Sequence, residues 1–327
     1  MKAVRFHSTG GPEVLVYEDV PDPTPADGEV LIRIEAVGLN FSDVMRRRGD
    51  DYPEPSPPPF TLGGEVAGTV AVLGEGVTWL NVGDAVFATP GLGGYAQYVC
   101  VPATAVILLP GGISPVNAAA LVVHGLTAAV ALRKSARLEK GESILVEAAA
   151  GGVGSVAVQL AKLDGAGTVI AAASTPEKRA LAERLGADAS VDYTAPRWSG
   201  KVREFTDGRG VDVVIESAGG DSVGQALDAM APFGRMVFIG QSSGKAASID
   251  PWRLTAPNHT VTGLYISAYT AFPETASTLM ELIGYVAEGK LSLQVDTVLP
   301  LAQAAEAHRL LEGRKTTGKV VLQPWEN

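Results

Sequence analysis

The stretch from Ser143 to Ala157 constrains this chain more than any other. Ser143-Ile144-Leu145-Val146-Glu147 is a near-continuous apolar run with the length and β-branched content of a strand buried on both faces. It runs directly into Ala148-Ala149-Ala150-Gly151-Gly152-Val153-Gly154-Ser155-Val156-Ala157, whose last residues, from Gly152, match G-x-G-x-x-A and open an apolar helical segment. A strand buried on both faces needs helices on both sides, so the expectation is an α/β fold with a doubly wound parallel sheet. Gly152 is expected to permit the tight turn, Gly154 to let the backbone approach a pyrophosphate and Ala157 to let the helix pack on the sheet. With Gly151 and Val153 they form a helix N-terminus, whose free N–H groups and partial positive charge favour an anion.

The neighbouring sequence repeats the texture. Strands are expected over 168–173, 211–217 and 235–240, and helices over 155–163, 177–185 and 222–230 supply right-handed crossovers. About twenty residues past the glycine turn, where an NAD site places an acid on the ribose, stands Ser174-Thr175-Pro176-Glu177-Lys178-Arg179. Ser174 is no acid. A 2′-phosphate would meet a hydroxyl at Ser174 and an ammonium at Lys178, which favours NADPH over NADH. The plainer alternative is that Ser174 caps the helix and Lys178 is solvated.

Residues 1 to about 120 read differently. Glu29-Val30-Leu31-Ile32-Arg33-Ile34-Glu35 alternates at period two, and Pro53, Pro55, Pro57, Pro58 and Pro59 forbid helix and interior strand, so a barrel-like β region with an extended loop is expected. After Leu264, helices over 274–288 and 301–312 and strands over 295–299 and 319–322 remain. The net charge of −10 argues against nucleic-acid and anionic-membrane partners and leaves a small molecule as the expected partner. One cysteine, Cys100, excludes an intramolecular disulfide and suits a reducing compartment. The N-terminus reads as a strand rather than a signal peptide, and 118–123 is an apolar run cut short by His124, so no membrane span and a cytoplasmic address are expected.

Taken together, the motifs resemble the medium-chain dehydrogenase/reductase superfamily and, within it, the quinone oxidoreductase and zeta-crystallin branch. The resemblance runs from Met1 to Gln323 through Ala36-Val37-Gly38-Leu39-Asn40-Phe41-Ser42-Asp43, Gly63-Gly64-Glu65-Val66-Ala67-Gly68, Val82-Gly83-Asp84-Ala85-Val86, Gly93-Gly94-Tyr95-Ala96 and Gly125-Leu126-Thr127. It implies a GroES-like catalytic domain built from 1–121 and 265–327, with a Rossmann NADPH-binding domain at 122–264. It implies, further, that Asn40 and Asp43 lie beside the nicotinamide and substrate, Thr127 near the cofactor, and Ser174, Lys178, Tyr193 and Arg314 around the 2′-phosphate. Ser217, Gly240, Gln241 and a strand through Leu264-Tyr265-Ile266 would line the cofactor's path. Zinc-dependent alcohol dehydrogenases of the superfamily carry Cys at the position of Asn40 and Gly-His-Glu at that of Gly63-Gly64-Glu65. Glu65 alone survives here, and one carboxylate cannot make the three-ligand open site of a catalytic zinc.

Without metal, the expected chemistry is hydride transfer to an electron-poor carbon conjugated with a carbonyl, in a quinone or an enone. Asn40 and Tyr52 are the candidate donors to the resulting oxyanion, and His124 reads first as a hydrogen-bonded structural histidine and second as a proton donor. Asp43 would orient Asn40 or its loop, since reduction of a quinone needs no base. Arg46-Arg47-Arg48 reads as a solvated face. The rival readings are an enoyl or alkenal reductase and, from another class, a crystallin-like or RNA-binding protein with little turnover. The apolar run 261–266 suggests an exposed sheet edge and hence a homodimer.

Overall fold

Alternating apolar and charged residues turn the first hundred positions into short strands. These are β1 (Lys2–Phe6), β2 (Leu15–Asp19), β3 (Glu29–Gly38), β4 (Phe60–Thr61), β5 (Val66–Leu73), β6 (Ala85–Ala88), β7 (Tyr98–Pro102) and β8 (Val106–Leu108), interrupted by helix α1 (Phe41–Arg48). The computed structural model describes residues 1–269 and 272–325. It divides into one unit of Met1–Val122 with Val295–Asn327 and a second of Val123–Gln294. Helix α2 (Pro115–Ala129) carries the chain out of the first unit.

The second unit is the doubly wound sheet. Strands β9 (Ser143–Glu147), β10 (Thr168–Ala172), β11 (Ala189–Val191), β12 (Val211–Glu216), β13 (Met230–Phe238) and β14 (Thr260–Gly263) lie in the order β11-β10-β9-β12-β13-β14, and all are parallel. The connections include α3 (Gly152–Leu163), α4 (Pro176–Arg184), α5 (Trp198–Glu204), α6 (Ser222–Ala229) and α7 (Trp252–Thr255). The strand order reverses between β9 and β12, so a crevice opens outside their carboxyl ends. Leu145, Ile170, Val214 and Met236 from four neighbouring strands join one buried cluster, which is why these strands read as continuous apolar runs.

Helix α8 (Pro273–Ala287) follows, and the chain then re-enters the first unit through β15 (Val295–Pro300), α9 (Ala304–Glu312) and β16 (Lys319–Gln323). There β3 pairs antiparallel with β5, β7 and β16. Its core joins Phe6, Ile32, Ile34, Val66 and Val86 to Leu301, Ala304 and Leu322 from the returning tail.

Three features differ from the sequence reading. Residues 265–294, expected with the catalytic domain, fall in the second unit. Gln159 on α3 binds the backbone of Ser292 through both ends of its amide (3.0 and 2.8 Å), and Arg133 bonds Glu281 of α8 at 2.5 Å, which holds this segment there. The expected strand through Leu264 to Ile266 ends at Gly263, and Ile266 opens a 3-10 turn. Finally, His124 does not cut the apolar segment short. The helix Pro115–Ser135 is long and apolar enough to cross a membrane, but 78% of its apolar window is buried inside the protein, as in a core helix.

Candidate active site

In the first unit β3 ends at Gly38, and Asn40 precedes the first residue of α1. One turn later, Asp43 accepts the Asn40 N–H at 2.8 Å through one oxygen and the Gly63 N–H at 3.3 Å through the other, tying the helix start to the loop before Glu65. A Cβ at Gly38 would stand 2.5 Å from Glu65 Oε1 and 2.4 Å from the Ala119 carbonyl, so the missing side chain is what admits the Glu65 carboxylate. That carboxylate, 0% exposed, pairs with the ammonium of Lys319, 1% exposed, at the start of β16. Lys319 Nζ also donates to Asn40 Oδ1 at 2.8 Å, and Asn40 Nδ2 donates to Glu65 Oε1 at 2.8 Å. An ammonium only donates and a carboxylate only accepts, so chemistry fixes which way the Asn40 amide points.

Burial pushes the Asp43 carboxyl up to about 6, against the opposing pull of the two N–H groups and of Lys319. Burial likewise lowers the Lys319 ammonium, opposed chiefly by the Glu65 charge. The arginines of α1 are not the solvated face the sequence suggested. Arg46 lies 4.3 Å from the Tyr52 ring centre and donates to Ser56 Oγ at 2.7 Å and to the Glu54 carboxylate. Arg47, 0% exposed, pairs with Glu312 of α9. Beside it Tyr95 Oη and His308 Nε2 are 3.1 Å apart, and burial with the Arg47 charge pushes His308 down to about 3. Arg46 and Arg47 pack inward because the 54–56 loop and α9 supply their acceptors.

In the second unit the residues at issue gather at the carboxyl ends of the strands. After β9, Ala148 takes the left-handed conformation (φ 47°) and its carbonyl accepts the Gly151 N–H at 2.7 Å. The first bond of α3 is Ser155 N–H to Gly151 O at 2.9 Å, so the N–H groups of Gly152, Val153 and Gly154 lie ahead of it. The tight turn is therefore made by Ala148, not by Gly152. A Cβ at Gly152 would stand 1.8 Å from His124 Cε1, so its glycine makes room for the imidazole. At Gly154 a Cβ would lie 2.3 Å from the Ala148 carbonyl.

Strands β10 and β11 pair Ala172 with Val191, so Ser174 and Tyr193 each lie two residues beyond one rung. Lys178 is in the first turn of α4, whose cap is Thr175 rather than Ser174: Thr175 Oγ1 accepts the Lys178 N–H at 3.3 Å. Ser217, after β12, donates to the Glu147 carbonyl at 3.4 Å, and its own carbonyl accepts the Ser242 N–H at 3.0 Å, drawing in the loop with Gly240 and Gln241. Below them sit two buried carboxyls. Glu147 and Glu216 end β9 and β12 and flank the reversal of strand order, near enough that the charge of Glu147 acts on Glu216. Ser222 Oγ donates to Glu147 at 3.0 Å, and the Ala218 and Gly219 N–H groups donate to Glu216 at 3.1 and 2.7 Å. Burial raises both, and the Glu147 charge raises Glu216 further, so the pair retains a proton well above the usual carboxylate range.

Comparison with known proteins agrees with this division. The alcohol dehydrogenase GroES-like domain family matches residues 26–111, and the zinc-binding dehydrogenase family matches 152–283. The chain is 39% identical to a quinone oxidoreductase of Pseudomonas aeruginosa over 326 residues, covering 99% of each protein. It is 36% identical to a 2-haloacrylate reductase of a Burkholderia species, covering 98% of each. The crystal structure of Escherichia coli quinone oxidoreductase complexed with NADPH matches at a TM-score of 0.94 and 34% identity, over 99% of this chain and 100% of that one. This chain belongs to the quinone oxidoreductase branch of the medium-chain dehydrogenase/reductase superfamily. It is an oxidoreductase with a GroES-like unit and a Rossmann-type unit.

The GroES-like unit brings Asn40 and Asp43 together, with Tyr52 under Arg46 on the loop after α1. The Rossmann-type unit gathers Gly151 to Gly154, Ser174, Lys178, Tyr193, Ser217, Gly240, Gln241 and Leu264 to Ile266 at strand ends, with Thr127 buried in α2. Arg314, expected beside Ser174, lies after α9 in the GroES-like unit with φ 51°. Sequence reasoning missed the Lys319 pairing, the His124 seat on Gly152 and the Glu147–Glu216 pair. Signals for two of these were present: a lone lysine opens the apolar strand 319–322, and an acid closes each of two doubly buried strands.

Proposed function

We propose that this oxidoreductase binds NADPH across the carboxyl ends of its Rossmann-type sheet and reduces a quinone, or another acceptor conjugated with a carbonyl, without zinc. The observation that carries the reading is the Asn40–Glu65–Lys319 cluster. The zinc-dependent alcohol dehydrogenases of the superfamily carry Cys at the position of Asn40 and His at that of Gly64. Asn40 offers an amide, Gly64 has no side chain, and the Glu65 charge is already met by an ammonium. This donor set does not fit zinc.

When bound, NADPH supplies a hydride from its nicotinamide. The protein's part is to hold the cofactor and to stabilise the oxyanion left on the acceptor. Gly151, Gly152, Val153 and Gly154 are assigned to the pyrophosphate, and Ser174, Lys178, Tyr193 and Arg314 to the 2′-phosphate. Ser174 is spared from capping by Thr175, which supports its assignment. Thr127, Ser217, Gly240, Gln241, Leu264, Tyr265 and Ile266 are assigned to the rest of the cofactor. Asn40 uses one of its two amide hydrogens on Glu65, and the second is the donor assigned to the acceptor's oxygen. Asp43 orients Asn40 through its backbone, and Tyr52 is assigned as a further donor to the acceptor's oxygen.

The 2-haloacrylate reductase relative favours a second reading, an enone or haloacrylate acceptor, which needs the same oxyanion support. A panel of ortho-quinones, para-quinones, short enones and 2-haloacrylates, each with NADPH and with NADH, tests both. The expected result is NADPH-dependent turnover of quinones above the rest, and faster turnover of haloacrylate moves the assignment to the second reading. An RNA-binding role is disfavoured by the net charge of −10, and a salt-titrated gel shift checks it. The single free cysteine supports a cytoplasmic setting. A homodimer is supported by β14, which ends the sheet with one edge unpaired, and by Trp252 and Phe233, 79% and 73% exposed in the same unit.

A further inference from the structure

The GroES-like unit holds a lysine that nothing above assigns to the reaction. Its ammonium is 1% exposed and lies on a carboxylate that is 0% exposed. Burying such a pair is costly unless every donor and acceptor is met, and replacing it with apolar residues is often neutral or stabilising. Stability alone is therefore a weak reason for its presence. The third member of the cluster points elsewhere. Asn40 gives its amide oxygen to Lys319 at 2.8 Å and one amide hydrogen to Glu65 at 2.8 Å, so the ion pair grips the amide from both sides and leaves one hydrogen over.

The flipped amide is refused on both sides, because the Glu65 carboxylate cannot donate to its oxygen and the Lys319 ammonium cannot accept from its nitrogen. The cluster also has the makings of a cation site. It joins Asn40, where the zinc-dependent relatives carry a cysteine, to Glu65, and the positive charge is supplied from within the chain. Position 64 has space for a side chain: a Cβ there meets nothing nearer than the Gly91 carbonyl at 3.4 Å.

We propose that Lys319 is a positioning residue, the built-in cation of the GroES-like unit, which fills the place of a metal and fixes the Asn40 amide so that its remaining N–H serves the acceptor. The proposal rests on the assignment of Asn40 made above.

The test replaces the ion pair by an apolar pair, Lys319→Met with Glu65→Met. No charge is left buried, so the melting temperature and the NADPH dissociation constant should stay near those of the parent. The kcat should fall about a hundredfold, as for loss of one oxyanion donor. Asn40→Ala should cost a similar factor in the parent and almost nothing in the double variant, since Lys319 acts through Asn40. A folded double variant with parental kcat would overturn the proposal and reduce Lys319 to neutralising Glu65. Parental protein inactive on every acceptor would instead overturn the substrate reading.

A second arm is independent of turnover and of that variant's folding. Asn40→Cys with Gly64→His recreates a ligand set beside Glu65. With Lys319 in place it should take up no stoichiometric zinc by elemental analysis, and with Lys319→Met added it should take up about one per chain. Equal zinc uptake with and without Lys319 would overturn the proposal.

Discussion

The two units solve the same electrostatic problem in opposite ways. Each buries carboxyl groups at a strand end or beside one, where an unpaired charge would be intolerable. The GroES-like unit answers with a lysine: Glu65 meets Lys319. The Rossmann-type unit has no cation bonded to its pair among the described residues: Glu147 meets the Ser222 hydroxyl and Glu216 meets two peptide N–H groups. A cation keeps a buried acid charged, whereas a shared proton keeps it partly neutral. The first arrangement creates a fixed field beside Asn40; the second leaves little net charge beneath an anionic cofactor.

The largest effect should come from breaking the first arrangement on one side only. Glu65→Gln leaves the Lys319 ammonium buried without its bonded counter-charge, and a loss of about 3–5 kcal/mol in denaturant unfolding is expected. Glu216→Gln, which keeps the shape and removes a like-charge contact, should change stability by less than about 1 kcal/mol at pH 7. Equal losses at the two sites would erase the contrast.

Next in size is the cofactor. Lys178→Glu sets a carboxylate against the assigned 2′-phosphate, and with charge-assisted bonds at about 1.5–3 kcal/mol each, NADPH affinity should fall roughly ten- to a hundredfold. NADH affinity should change far less. Equal losses, read by fluorescence titration, would mean that Lys178 supports the fold instead.

Much of this was legible in sequence. The run 143–163 dictated strand, turn and helix, because a doubly buried strand and a Gly-rich helix start have few alternatives. The site was legible where one residue type carries the chemistry, as at Asn40 and Gly64. It was illegible where the chemistry lies in a pairing across 254 residues, as between Glu65 and Lys319. Gly152 was misread for a related reason, since its partner His124 comes from another helix. Arg46 and Arg47 were misread because charge runs are normally solvated, and only α9 and the 54–56 loop reveal their acceptors.

The Gly152 finding gives a smaller prediction. Gly152→Ala drives a Cβ into the imidazole and should cost about 1–3 kcal/mol, and adding His124→Ala should recover most of it. Recovery below a tenth of the loss would show that the glycine serves the backbone alone.

The smallest effect is in pH dependence. Asp43 is raised to about 6, so between about pH 4 and 6 the folded state holds a proton the unfolded chain has released, and this group's contribution falls as pH rises through that window. His308 is lowered to about 3, so below about pH 6.5 the unfolded chain takes a proton the folded state refuses, and stability falls as pH drops toward 3. Asp43→Asn should flatten the first limb and leave the second, as measured by unfolding midpoints across pH.

In the proposed mechanism an internal ammonium, not a metal, serves the GroES-like unit. The most direct measurement is the zinc content of purified protein by elemental analysis, paired with NADPH-dependent quinone turnover before and after exhaustive chelation. Far less than one zinc per chain and unchanged turnover are expected. One tightly held zinc per chain, with turnover lost on its removal and restored on its return, would contradict this mechanism.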